Sequence, residues 1–247
     1  MRRRALSLMA VFAVAVAVLA GGEPWKRPFA GWTDNDVAVV QQISPWAKIT
    51  QSKGAYRPDG VTPSSGSGGI PGTSSDTSKL SAGAMPDQPG GLERNAAAGP
   101  VKYSVWWGSS RTIRAASLRD SVLKGKMTQE NAEKILAQPV DEYEILVRGA
   151  NMHVFKQRGE KAFESAAWVQ LKKSKQKLIP THVLFRKGPD GASVIGAVFF
   201  FSKKGTNGAP TITPDENEID FYLLIADQKL ITYFEPKKMV DNQGADL

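Results

Sequence analysis

His182-Val183-Leu184-Phe185-Arg186-Lys187, then Gly188-Pro189-Asp190-Gly191, then Ser193-Val194-Ile195-Gly196-Ala197-Val198-Phe199-Phe200-Phe201 is the stretch that decides the fold. Two runs rich in β-branched and aromatic residues flank a Pro-Asp-Gly turn, which predicts a β-hairpin. The second run is apolar on both faces after Ser193, so it is expected to be a central strand covered on both sides. Lys203 and Lys204 follow it as charged guards against edge aggregation.

Working outward, residues 218–225 and 230–234 alternate and predict a second hairpin around Asp227-Gln228. Upstream, 101–107 and 142–148 alternate as strands. Between them Ser109 or Ser110 caps a helix to about residue 124, with Ala115, Leu118 and Val122 on one face. Thr128 starts another, with Ala132, Ile135 and Leu136 inward, stopped by Pro139. Residues 160–174 read as a third helix with Phe163, Ala167 and Leu171 aligned. The expectation is an α+β domain over 101–247 with a largely antiparallel sheet of about six strands and three packed helices. A chain of that size buries enough surface for one core.

Residues 51–100 differ in kind. Ser, Thr, Gly and Pro fill 27 of these 50 positions, too few apolar residues to offset the entropy of ordering, so a disordered linker is expected. Before it, residues 21–50 form an aromatic segment with a short separate helix. Thr33 is its N-cap, Asp34 and Asp36 favour its first turn, Val37, Val40 and Ile43 hold the spacing, and Ser44-Pro45 ends it. Such a helix is too short to stand alone and must dock on this chain or on a partner. Trp25, Phe29, Trp32 and Trp46 are the expected binding surface, joined by whichever of Trp106 and Trp107 faces outward from its strand.

Residues 1–20 combine Arg2-Arg3-Arg4, an apolar run and small residues before Gly21, which predicts a cleaved secretory signal peptide and no membrane span in the mature chain. Loss of the three arginines would take the net charge from +8 to +5. The expected compartment is periplasmic or extracellular.

Several chemistries are disfavoured. The chain has no cysteine and two histidines, which excludes thiolate sites, disulfides and a three-histidine metal centre within one chain. Phosphate loops, nucleophile elbows and zinc-protease signatures are missing, so no cofactor and no metal are expected. His153, His182 and Asp220 are dispersed, and paired acids at Glu142/Glu144 and Glu218/Asp220 fit the solvent face of a sheet. His182 and Asp220 are the weak candidates for a hydrolase acting on polysaccharide or peptide. Lys172, Lys173, Lys175 and Lys177 are expected at the end of the 160–174 helix, where lysine complements the helix dipole. Their basic run favours an anionic envelope polymer over nucleic acid as partner.

The motifs Trp32-Thr33-x-x-Asp36-Val37 and Ile43-Ser44-Pro45-Trp46-Ala47-Lys48, with the closing Phe234-Glu235-Pro236-Lys237-Lys238-Met239, resemble a group of exported proteins from acidobacteria. The resemblance implies the same layout of signal peptide, tryptophan-bearing helix, linker and mixed domain, and carries over no activity or site residue. The short amphipathic helix, the long coil and the missing catalytic signatures make the expected role a non-catalytic binding or scaffold protein of the cell envelope, whose partner is an envelope protein or anionic polymer.

Overall fold

The computed structural model describes residues 22–53, 100–150, 152–213 and 215–247. The expected signal peptide, residues 1–20, and nearly all of the expected linker, residues 51–100, lie outside the described residues.

Among the described residues nine strands form two sheets, and every pairing in them is antiparallel. The first sheet runs β1 (Ala47–Gln51), β2 (Lys102–Trp107), β3 (Glu142–Gly149), β7 (Val194–Ser202), β6 (His182–Lys187). The second runs β5 (Lys177–Leu178), β4 (Ala167–Leu171), β8 (Ile219–Ile225), β9 (Gln228–Phe234). Short strands β10 (Val240–Asp241) and β11 (Gly244–Ala245) form a separate ribbon. The helices are α1 (Asp34–Ile43), α2 (Arg111–Leu123), α3 (Gln129–Leu136), α4 (His153–Arg158) and α5 (Glu160–Ala166). The α+β, antiparallel expectation holds, with more strands and helices than the sequence counted.

The hairpin expected around Gly188-Pro189-Asp190-Gly191 is β6–β7, and β7 is interior, buried at six of its nine positions. Alternation decides which faces meet. Phe199 and Phe201 of β7 reach Phe221 of β8 at 5.3 and 6.4 Å between ring centroids, and Trp107 of β2 meets Phe234 of β9 at 5.2 Å. These offset and edge-on contacts join the inner faces of the two sheets into a sandwich. Along one seam Lys53 and Lys229 exchange backbone hydrogen bonds at 2.9 Å. Helix α5 packs against β6, β4 and β8, its Phe163 stacked on Phe155 of α4 at 4.4 Å.

Four expectations are corrected. Residues 160–174 are not one helix: α5 stops at Ala166 and Ala167–Leu171 is a strand. Phe163, Ala167 and Leu171 fit helical spacing, but Ala167, Val169 and Leu171 also fit a period of two, and pairing with β8 settles the ambiguity in favour of the strand. The lysine run consequently occupies the β4–β5 turn instead of a helix end. Ile135 points outward, 38% exposed, while Ala132 is the fully buried contact of α3. The last hairpin turns at Ala226-Asp227, since Gln228 already pairs with Ile225.

The N-terminal helix is not separate. Thr33 is the N-cap as expected and, beyond that expectation, forms a reciprocal capping box with Asp36, but α1 packs on α2 and leads through Ser44-Pro45-Trp46 into β1, the edge strand of the larger sheet. Docking is therefore within the chain. Backbone pairing of β1 with β2 runs through Gln51↔Lys102, inside the segment read as linker.

Candidate functional site: an aromatic cleft

Three of the five aromatic residues singled out by the sequence, Trp25, Phe29 and Trp32, line one cleft of about 280 Å³ together with Arg27, Arg111 and Glu133. The local sequence explains the walls. Pro24 starts a 3-10 turn, Pro24–Lys26, and Pro28 precedes another, Phe29–Gly31, since proline pre-sets the backbone for a first turn. These turns fold the aromatic side chains back over α2. Phe29 and Trp32 meet edge to face at 6.4 Å. The Trp32 indole N–H donates to the Arg27 carbonyl at 3.3 Å, and Arg119 Nε donates to the Trp32 carbonyl at 2.7 Å.

Trp46 does not line the cleft but backs it. It is fully buried, its ring edge-on to Trp25 at 5.6 Å, and its indole N–H donates to the Asp246 carbonyl at 2.7 Å. Trp106 lies elsewhere: it is the outward tryptophan of β2, and its indole N–H donates to the Gln41 carbonyl of α1 at 2.7 Å. Trp107 is in the core with no exposed surface.

Two guanidinium groups supply the charge. Arg27 Nη2 lies 2.6 Å from Asp36 Oδ1. Arg111 holds Asp241 in a fork, Nε to Oδ2 and Nη2 to Oδ1 at 2.7 Å each. That leaves Arg111 Nη1 uncommitted to Asp241, and both arginine side chains remain partly open, 45% and 31% exposed. Arg111 opens α2, where the helix dipole disfavours a cation. The anions that reverse this come from far along the chain. Asp241 pairs with the guanidinium, and the Asp246 carboxylate accepts the backbone N–H groups of Arg111 and Thr112 at 2.6 and 2.9 Å. The hydrogen bonds that Arg111 donates to Asp241 raise the arginine's pKa above its ordinary value. Burial pushes the Asp246 carboxyl upward, more than the α2 N–H groups pull it down. Burial also opposes ionisation of Asp36, but hydrogen bonds from Thr33 and Arg27 together hold its pKa below the usual carboxylate value.

Sequence reasoning missed Arg111, Asp241 and Asp246. An arginine at the start of a capped helix was the available signal, because such a cation calls for an acidic neighbour; which acid answers it is not written in spacing.

His182 and Asp220 stand apart. His182 is on β6 of the larger sheet, stacked on Phe200 at 4.1 Å, with Nδ1 3.1 Å from the Thr181 hydroxyl. The Thr181 hydroxyl itself donates to Glu142, so the hydroxyl sits between histidine and acid, not the histidine between hydroxyl and acid as a triad requires. Asp220 is on β8 of the other sheet and exposes no surface. Its Oδ2 accepts from Lys172 Nζ at 2.7 Å and from the Tyr222 hydroxyl at 3.1 Å. A general acid or base must reach its substrate, and this carboxylate is walled in. His153 opens α4. Among the described residues no cluster of three or more His, Asp or Glu side chains is arranged to hold a metal ion, and no helix is long and apolar enough to cross a membrane.

Compared with known proteins, the chain matches no family model, no curated protein and no solved structure.

Proposed function

We propose that the protein is an exported, non-catalytic binding protein of the cell envelope, and that its ligand site is the aromatic cleft. Support for export is the basic, apolar, small-residue order of residues 1–20, together with the resemblance of the Trp-Thr-x-x-Asp and Ser-Pro-Trp-Ala motifs to acidobacterial exported proteins. One observation carries the binding role: Trp25, Phe29 and Trp32 share an opening with two guanidinium groups already oriented by Asp36 and Asp241. Apolar walls with a few convergent polar groups are the usual make-up of a ligand site, and Arg111 Nη1, which Asp241 leaves uncommitted, can donate to a carboxylate. The ligand that fits is a short apolar segment ending in a carboxylate, such as the C-terminus of an envelope peptide or protein.

The test is a fluorescence titration of the mature protein with N-acetyl-Leu-Phe as the free acid and as its amide. Saturable change in tryptophan emission is expected for the acid, with the amide about tenfold weaker, the ordinary worth of one charged hydrogen bond. Phe29→Ala should weaken the acid without shifting the melting temperature by more than a few degrees. Equal binding of acid and amide, or no binding of either, would remove this reading.

A further inference from the structure

The outer face of the four-stranded sheet carries a second assembly that shares no residue with the cleft. Register puts Trp168 of β4 opposite Tyr222 of β8. Their rings stack at 4.8 Å with planes 11° apart. Lys177 of β5 sets its ammonium 4.4 Å from the Trp168 centroid, and Lys229 of β9 sets its own 4.8 Å from that of Tyr222. Following the strand order β5-β4-β8-β9, the side chains read cation, ring, ring, cation. Each ring is covered by its neighbour ring on one side and by an ammonium from the flanking strand on the other.

The foundation of this ladder is fixed. Tyr222 is tied to Asp220, which also binds Lys172. Gln170, next to Trp168 on the same face, donates to the carbonyls of Lys175 and Gln176 at 2.7 and 3.2 Å. That pins the β4–β5 turn, in which Lys175 adopts a left-handed φ of 60°. Lys175, Lys177 and Lys229 are exposed, and Leu224 and Tyr233 on β8 and β9 are 38% and 47% exposed.

We propose that this face docks an anionic polysaccharide. An ammonium resting on a ring still has N–H donors on the side away from that ring, and with Lys177 and Lys229 exposed these can reach carboxylate or sulfate oxygens. The same packing disfavours the other common uses of aromatic sheet faces. Single-stranded nucleic acid binds by laying bases on free ring faces, and here those faces are filled. Neutral glycans also stack on ring faces and meet the same obstacle. What remains is charge along the row of lysines, with the exposed Tyr233 of β9, paired opposite Asp220, on the same sheet face for sugar hydroxyls. An extended chain of acidic sugars satisfies both.

The probe is alginate, a polyuronate, tested against the mature protein at low ionic strength, with dextran, an oligodeoxythymidylate and phosphatidylglycerol vesicles alongside. Alginate is expected to bind, to weaken steeply with added salt, and to bind about tenfold less well to K177Q/K229Q, with a shallower salt dependence. An unchanged melting temperature in that variant separates lost contact from lost fold. Phe29→Ala should leave alginate binding intact, so failure of this surface and failure of the cleft are distinguishable. Absent alginate binding, an unaffected double variant, or tighter binding of the oligonucleotide or the vesicles than of alginate would overturn the proposal.

Discussion

In the sandwich, Phe199, Phe201 and Phe221 meet across the sheets with no polar atom involved. In the aromatic lobe, Arg111, Asp241, Asp246 and Trp46 also sit largely buried, yet they are joined by charged and indole hydrogen bonds between residues far apart in the chain. Both regions are packed; they differ in what packing has to satisfy. Apolar faces need contact and shape, so many sequences suffice. Buried polar groups need particular partners, and a missing partner leaves a desolvated atom behind. The lobe is therefore the more specific and the more easily loosened region, and it is the one that carries the cleft.

The largest expected effect lies in the sandwich. Phe221→Ala removes a ring packed between Phe199 and Phe201, and loss of a buried phenylalanine costs about 3–5 kcal/mol. Urea unfolding should show this for fluorescence and circular dichroism together. If the lobe unfolds at its former denaturant concentration while the sheets melt early, the two regions are independent folding units.

Asp241→Ala strikes the lobe. It strands a partly buried guanidinium, for which full burial would cost about 3–5 kcal/mol; since 31% of the Arg111 side chain is exposed, a loss of roughly 1–3 kcal/mol is expected. Hydrogen exchange should quicken at the Trp46 indole N–H and leave the β7 amides protected. Equal loosening of both would break the comparison.

The two carboxyl shifts in the lobe have opposite signs, and pH reads them apart. Asp36 has a folded pKa below its unfolded value, so its stabilisation is complete above the unfolded pKa and vanishes as pH falls through the folded one. Asp246 is raised, so the folded state holds its proton more readily, and stability is lost as pH rises from the unfolded to the folded pKa. Chemical denaturation of the full protein should show a small gain from neutral to mildly acidic pH, then a loss below about pH 4. Asp215, held down to about 2 by Lys173 and Thr213, adds to the acid loss. Asp246→Asn should abolish the gain and keep the loss; a gain that survives assigns it to another group.

How far the sequence disclosed these regions follows the same divide. Strands β2, β3, β6, β7, β8 and β9 announce themselves because burial on one or both faces writes a period into consecutive residues. Strand β4 was hidden because Ala167 and Leu171 satisfy both a helical and a strand period, and only pairing with β8 distinguishes them. The aromatics of the cleft stood out by composition, since Trp25, Phe29 and Trp32 crowd a short polar stretch. Their charged partners did not. Arg111 meets Asp241 across 130 residues, and no local pattern encodes which acid among many closes over a helix start. The lysine ladder was half visible: the basic run was plain, but Lys229 and both ring partners needed the strand order to bring them together.

The smallest expected effect returns to the sandwich. Ala226 turns the β8–β9 hairpin with a left-handed φ of 54°, a conformation that costs an L-residue with a Cβ about 1–2 kcal/mol. Ala226→Gly removes that strain but gives the unfolded chain more freedom, which offsets roughly 0.5–1 kcal/mol. The net gain should be a few tenths of a kcal/mol to about 1, visible as a higher urea midpoint with an unchanged slope. Ala226 lies beyond the charged lobe contacts, so the gain should add to the loss in Asp241→Ala, as distant sites do. A combined variant that departs from the sum by more than about 0.5 kcal/mol would mean that the hairpin and the lobe communicate through the β1–β9 seam at Lys53 and Lys229, and the division between an apolar sandwich and a polar lobe would then describe composition without describing cooperativity.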